Sequence, residues 1–90
     1  MVFEWDPIKN QTNFKKHGIS FEDAIPVFQD EHSLENSDSI FEDRFIRFGF
    51  NFHKGVLAVV YCEKYGVIRI ISARKATKTE EKLYAQRIRS

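Results

Sequence analysis

The sequence predicts a single α+β domain: an antiparallel β-sheet with two helices ahead of it and one behind. Three observations carry this. Gly66 to Arg74 is the most β-prone run in the chain, with Val67, Ile68, Ile70 and Ile71 between a turn glycine and a polar helix start. That is the pattern of a central strand buried on both faces. Two more β-prone runs precede it, joined by short connections that contain Gly55 and Gly66, which is the hairpin signal twice over. Stretches with helical spacing and cap residues flank these strands. The resulting order, β-α-α-(β)-β-β-β-α, places helices against a sheet.

Each element has a local reason. Val2 to Trp5 alternates in polarity and reads as a short opening strand. Asp6 is a helix N-cap, and Pro7 takes the first helical position, where a missing N–H costs nothing. This helix runs to about Lys16, and Gly18 ends it. Lys9, Asn13, Lys16 and His17 recur at i, i+4, i+7 and i+8, a polar stripe on one face. Ser20 and Asp23 approximate a capping box for a second helix, whose Phe21, Ala24, Ile25 and Phe28 face the core. Pro26 inside it removes a hydrogen bond, at a cost of about 3 kcal/mol, and predicts a kink or a short first segment. Residues 31–39 are polar and acidic, a loop or a weak edge strand around Ser33-Leu34-Glu35.

Arg44 to Phe52 alternates, with Ile46, Phe48, Phe50 and Phe52 on one face and Phe45, Arg47, Gly49 and Asn51 on the other. Val56 to Glu63 is the next strand. After Gly66–Arg74, Thr77 and Glu80 form a capping box for the last helix. Leu83, Tyr84 and Ile88 are expected inward on it, and Lys78, Lys82 and Arg89 outward.

Composition narrows the class. The 90 residues are 42% hydrophobic and include nine Phe, enough for one aromatic-rich core and too much for a disordered chain. Trp5 and Tyr84 are read as core aromatics. The longest apolar runs are too short to span a bilayer. No secretory leader opens the chain. Cys62 stands alone, so no internal disulfide is expected, which fits a reducing cytoplasm, and its apolar neighbours predict a buried structural thiol. His17, His32 and His53 are scattered without metal-ligand spacing, so neither metal nor cofactor is expected. The formal net charge of +1 hides a split: residues 1–43 hold three basic and ten acidic side chains, and residues 44–90 hold eleven and three. Either the halves interleave, or one face is basic and meets phosphate or an acidic partner.

Two arginines are set into the most apolar strand. A desolvated charge needs a partner, so Arg69 and Arg74 each imply one. Arg74 stands at the strand's end, where a side chain emerges into a groove.

Several blocks together resemble a known family. They are Phe3-Glu4-Trp5-Asp6, then Asn13 with Lys16-His17-Gly18-Ile19-Ser20-Phe21-Glu22, then Ala24 and Val27-Phe28. Glu42-Asp43-Arg44 and Gly49 follow, then Ile68-Arg69-Ile70-Ile71-Ser72-Ala73-Arg74-Lys75-Ala76, and finally Glu80 and Tyr84. In this order and spacing the chain resembles the BrnT toxins, the ribonuclease halves of bacterial type II toxin–antitoxin modules. The resemblance implies a RelE-like fold and an endoribonuclease activity that arrests translation. It also implies inhibition by a BrnA-like antitoxin, which would supply all DNA contact and, being dimeric, would hold two toxin copies. No membrane is involved.

The residues supply the chemistry separately. Metal-free RNA cleavage needs a base for the 2′-hydroxyl, an acid for the leaving 5′-oxygen and cations on the phosphate. His17 is the candidate base or acid and Glu42 the complementary carboxylate. Lys16, Arg44 and Arg74 are the candidate phosphate stabilisers, and Lys9, Asn13 and Lys75 are candidates for holding the substrate. Imidazole titrates near neutrality, and the guanidinium fork matches a phosphate. Lys16 and His17 also fit a plain helix terminus, which favours cations, and Glu42 with Arg44 fits a surface ion pair. A non-catalytic RNA- or protein-binding module is the competing reading, and cleavage of RNA in EDTA separates the two.

Overall fold

The computed structural model describes residues 1–38 and 40–89. Among these the elements run β1 (Val2–Glu4), α1 (Pro7–His17), α2 (Phe21–Gln29), β2 (Leu34–Ser37), β3 (Phe45–Asn51), β4 (Gly55–Lys64), β5 (Val67–Lys75) and α3 (Lys78–Arg89). The predicted caps form. Asp6 accepts hydrogen bonds from the N–H groups of Ile8 and Lys9, and Gly18 closes α1 in the left-handed region at φ 71°. Ser20 and Asp23 make a reciprocal capping box at α2. Thr77 and Glu80 make the same pair of bonds ahead of α3. Pro26 lies inside α2, which continues past it to Gln29. The carbonyl it leaves without a donor is that of Glu22, which is exposed to water.

The strands form one sheet in the order β1-β5-β4-β3-β2. Two expectations need correction here. The sheet is mixed, because β1 pairs parallel with β5 while the other pairs are antiparallel. Parallel neighbours need a long crossover, and the intervening helices and hairpins supply it. The central strand is β4, not β5. The acidic stretch after α2 contributes β2 as the edge strand beside β3.

One face of the sheet carries the helices α1 and α2. Ile19, Phe21, Ala24 and Val27 meet Leu57, Val59 and Tyr61 of β4 and Ile68, Ile70 and Ala73 of β5. Each of the Ile, Val, Leu and Phe side chains among them contributes about 1.5–3 kcal/mol on burial. Phe3, Trp5, Phe28 and Phe45 pack on this core, with Trp5 edge-on to Phe21 at 6.2 Å between ring centres. Gly49 lets α2 approach, since a Cβ there would stand 2.7 Å from Val27 Cγ1.

The opposite face is covered in part by α3. Tyr84 is buried there, and its hydroxyl donates to Asp30. Leu83 and Ile88, expected inward, are 46% and 49% exposed. Cys62 is a free, half-buried thiol on this same face, not a fully buried one.

Candidate active site

A register slip in β5 shapes the site. Val60 of β4 stands opposite Ser72, but Tyr61 stands opposite Ile70, so Ile71 is the extra residue of a bulge. A bulge reverses the alternation of sides beyond it. Cys62 opposes Arg69 and Ala58 opposes Arg74, so the two arginines share the face away from α1 and α2, although five residues separate them. Lys75 opposes Leu57 and faces the other way.

Both arginines have carboxylate partners, although Arg69 is exposed and Arg74 only half-buried. Arg69 Nη1 donates to Glu4 at 2.7 Å across the β1–β5 pair. Arg74 Nη1 and Nη2 donate to the two oxygens of Glu80 at 2.7 and 3.0 Å, and Nη1 also donates to the Lys75 carbonyl at 3.2 Å. The hydrogen bonds from Arg74 hold the Glu80 carboxyl below its ordinary range, and those to Glu80 raise the Arg74 guanidinium. Glu80 also caps α3, so one carboxylate ties the helix start to the strand end.

The outer edge of β5 explains Asn13. β1 pairs only as far as Arg69, which leaves Ala73 without a strand partner on that side. The Asn13 carboxamide replaces one: it accepts from the Ala73 N–H at 3.2 Å and donates to the Ala73 carbonyl at 2.7 Å and the Ile19 carbonyl at 2.8 Å. It is buried and committed to the backbone, so it is placed to hold the site's wall. Around it, Lys9, Thr12, Lys16, His17, Ile71 and Ser72 line a hollow of about 260 Å³ between α1 and β5. Lys16 and His17 are exposed at its rim.

Ser72 and Arg74 share a face, two residues apart. On the far side of Arg74, its partner Glu80 lines a second hollow of about 370 Å³ with Asn36, Ser37, Asp38, Ile46 and Phe48. Arg74 is thus linked to the first hollow through Ser72 and to the second through Glu80. Glu42 is exposed in the loop from β2 to β3. Arg44 lies 4.2 Å over the Phe41 ring, and among the described residues no ion pair joins it to Glu42. The structure thus brings Lys9, Asn13, Lys16 and His17 to one wall, with Arg74 on the sheet face away from α1. It puts Glu42 and Arg44 on the loop between β2 and β3 and turns Lys75 to the face opposite Arg74. Ser72, Thr12 and Glu80 were not singled out as site residues from the sequence. The arginine in the β5 run already implied a carboxylate partner, and that was the signal for Glu80.

Among the described residues, no three His, Cys, Asp or Glu side chains gather closely enough to hold a metal ion. No helix is long and apolar enough to cross a membrane.

Residues 5–80 match the model of the family described as ribonuclease toxin, BrnT, of type II toxin–antitoxin systems. The chain belongs to the BrnT family. Among solved structures, the crystal structure of the Brucella abortus ribonuclease toxin BrnT superposes with a TM-score of 0.71 at 26% identity. The alignment covers 87% of this chain and 100% of that one. Curated proteins give no sequence match. Membership of the BrnT family makes the chain a ribonuclease toxin of a type II toxin–antitoxin module at the family level, with an antitoxin as its implied partner.

Proposed function

We propose that this BrnT toxin is a metal-independent endoribonuclease that arrests translation in the cytoplasm, on a RelE-like scaffold. Its substrate would lie along the face that carries Arg74, between the α1 wall and the loop from β2 to β3. The observation that carries this reading is that Arg74 follows Ser72, which lines the hollow rimmed by Lys16 and His17, and is bonded to Glu80, which lines the other hollow. Arg74 and Lys16 stabilise the charge that builds on the phosphate, the largest single contribution in reactions of this kind. His17 transfers the proton at the attacking 2′-hydroxyl or at the leaving 5′-oxygen, worth about 10²–10⁴ in rate. Glu42 takes the complementary position, with Arg44 as a further cation from the same loop. Lys9 guides the flanking backbone, and Asn13 holds the wall against β5.

A BrnA-like antitoxin neutralises the toxin and supplies the DNA contact, with two toxin copies per assembly. Two features support this partnership. The family name places the toxin in a two-component module, and Phe52 at 91% exposure with half-exposed Leu83 and Ile88 leaves apolar area for a partner.

The chemistry is tested by the 2′-hydroxyl. An RNA bearing one 2′-deoxynucleotide at its mapped cleavage position should resist cutting there, and the products of the unmodified RNA should end in a cyclic phosphate. Cutting of the deoxy-substituted RNA at the same position would overturn the mechanism.

A further inference from the structure

Glu80 and Arg74 interact through only part of the guanidinium. A guanidinium offers two parallel forks, an end-on fork of Nη1–H with Nη2–H and a side-on fork of Nε–H with the other Nη2–H. Glu80 occupies the end-on fork, and the outer Nη1–H goes to the Lys75 carbonyl. Among the described residues nothing takes the side-on fork. The Arg74 side chain is 36% exposed and that of Glu80 only 18%, so the carboxylate is the more enclosed member. A carboxylate fixed at the start of α3 by Thr77 is a rigid holder for a flexible side chain.

We propose that Glu80 is a positioning residue for RNA cleavage: it fixes Arg74 so that the Nε–H/Nη2–H fork is presented, pre-oriented, to a phosphodiester. This rests on the reading of Arg74 as a phosphate-stabilising group. Glu80 does not touch the substrate. It removes the rotational freedom that a long side chain would otherwise lose when the phosphate arrives, and it satisfies the donors that the phosphate does not use. Two oxygens of a phosphodiester match a side-on fork as two carboxylate oxygens match an end-on one. The same geometry makes lysine a poor expected replacement at position 74, because an ammonium has no second fork.

The capping box complicates the obvious variant, and Thr77 resolves it. Glu80→Ala removes both the cap and the hold on Arg74, whereas Thr77→Ala weakens the cap alone. The experiment measures kcat and KM for cleavage of a defined RNA, alongside thermal unfolding, for Thr77→Ala, Glu80→Ala, Arg74→Ala and the Glu80→Ala/Arg74→Ala pair. Thr77→Ala and Glu80→Ala should both lower the melting temperature. Only Glu80→Ala should lower kcat, about tenfold or more, since small misplacements of a reacting group have effects of this size. In the Arg74→Ala background, Glu80→Ala should cause no further loss. Unchanged or increased kcat in Glu80→Ala, with Arg74→Ala inactive, overturns the positioning role and leaves the site intact. An equal kcat loss in Thr77→Ala, or a further loss in the double variant, also overturns it. If Arg74→Ala cleaves as well as wild type, the proposed site fails and this role with it.

Discussion

Asn13 shows how one residue joins packing to the site. Its carboxamide serves three backbone groups at once and lies buried against β5. Asn13→Ala strands a buried N–H and two carbonyls, and each unsatisfied buried group costs about 1–3 kcal/mol. Urea denaturation should therefore show a loss of about 2–4 kcal/mol, with residual RNA cleavage falling because the wall that carries Lys16 and His17 loosens. Gly49→Ala acts from the opposite side of the core. Its added methyl meets Val27, with backbone also close by, and the same titration should register about 1–3 kcal/mol of destabilisation. At this scale the sequence was readable in part. The stripe of Lys9, Asn13, Lys16 and His17 was visible as one helical face, and the structure does put these residues on one hollow. Periodicity states which residues share a face but not what the face meets. That Asn13 would be drawn out of solvent followed from β1 being only three residues long, and pairing lengths are not written in local pattern.

Among the elements, the caps were the most legible, because a cap is a local bargain among three or four neighbouring residues. The bulge at Ile71 was illegible for the opposite reason. Alternation in β5 reads as Val67, Ile68, Ile70 and Ile71 with no clean face, and only the pairing with β4 shows where the slip falls. The parallel placement of β1 likewise depends on a partner more than sixty residues away. The strand end and the helix start are then coupled electrostatically, and the coupling has a pH signature. Glu80 is held below its ordinary value of 4.5, chiefly by Arg74. A carboxyl so lowered contributes stability that is present above 4.5 and is lost as pH falls through the folded value. Asp30 behaves with the same sign. Burial opposes its charge, but hydrogen bonds from Tyr84, His32 and Phe50 outweigh it and keep the carboxyl below 3.8. Melting temperatures followed from pH 7 to pH 3 should stay level and then drop below 4.5, and Glu80→Gln should show a shallower drop. An identical profile in the variant would mean that the pair adds no stability. At the alkaline end, burial and the Glu35 contact push the Tyr61 hydroxyl up to about 12. Its contribution is present below 10 and is lost as pH rises toward 12.

For the whole molecule, two ion pairs interleave the two halves of the charge split. Arg47 pairs with Glu35 and Arg69 with Glu4, each across the two halves of the sequence, while Arg74 finds Glu80 within its own half. α1 ends in Lys15, Lys16 and His17, and α3 carries Lys78, Lys82, Arg87 and Arg89. A partner segment of acidic character would meet this surface with complementary charge and fast association. Co-expression with the product of a neighbouring gene should shift the toxin to a larger species containing two toxin copies and suppress its cleavage of RNA. Elution as the same monomer, with activity unchanged, would refute the partnership. The family blocks made the class of protein legible before any coordinate, since they span the chain in order. The site was legible only in its components, because no local pattern shows that the polar stripe of α1 meets Ile71 and Ser72 of β5 around one hollow. The most direct measurement of the central claim is cleavage of a defined RNA in EDTA by wild type, His17→Ala and Arg74→Ala, each first shown to be folded by circular dichroism. Wild type should cut in EDTA, and each variant should lose about 100-fold or more of the rate. Wild-type cleavage that disappears in EDTA and returns with magnesium, or folded variants that cut at the wild-type rate, would contradict the account.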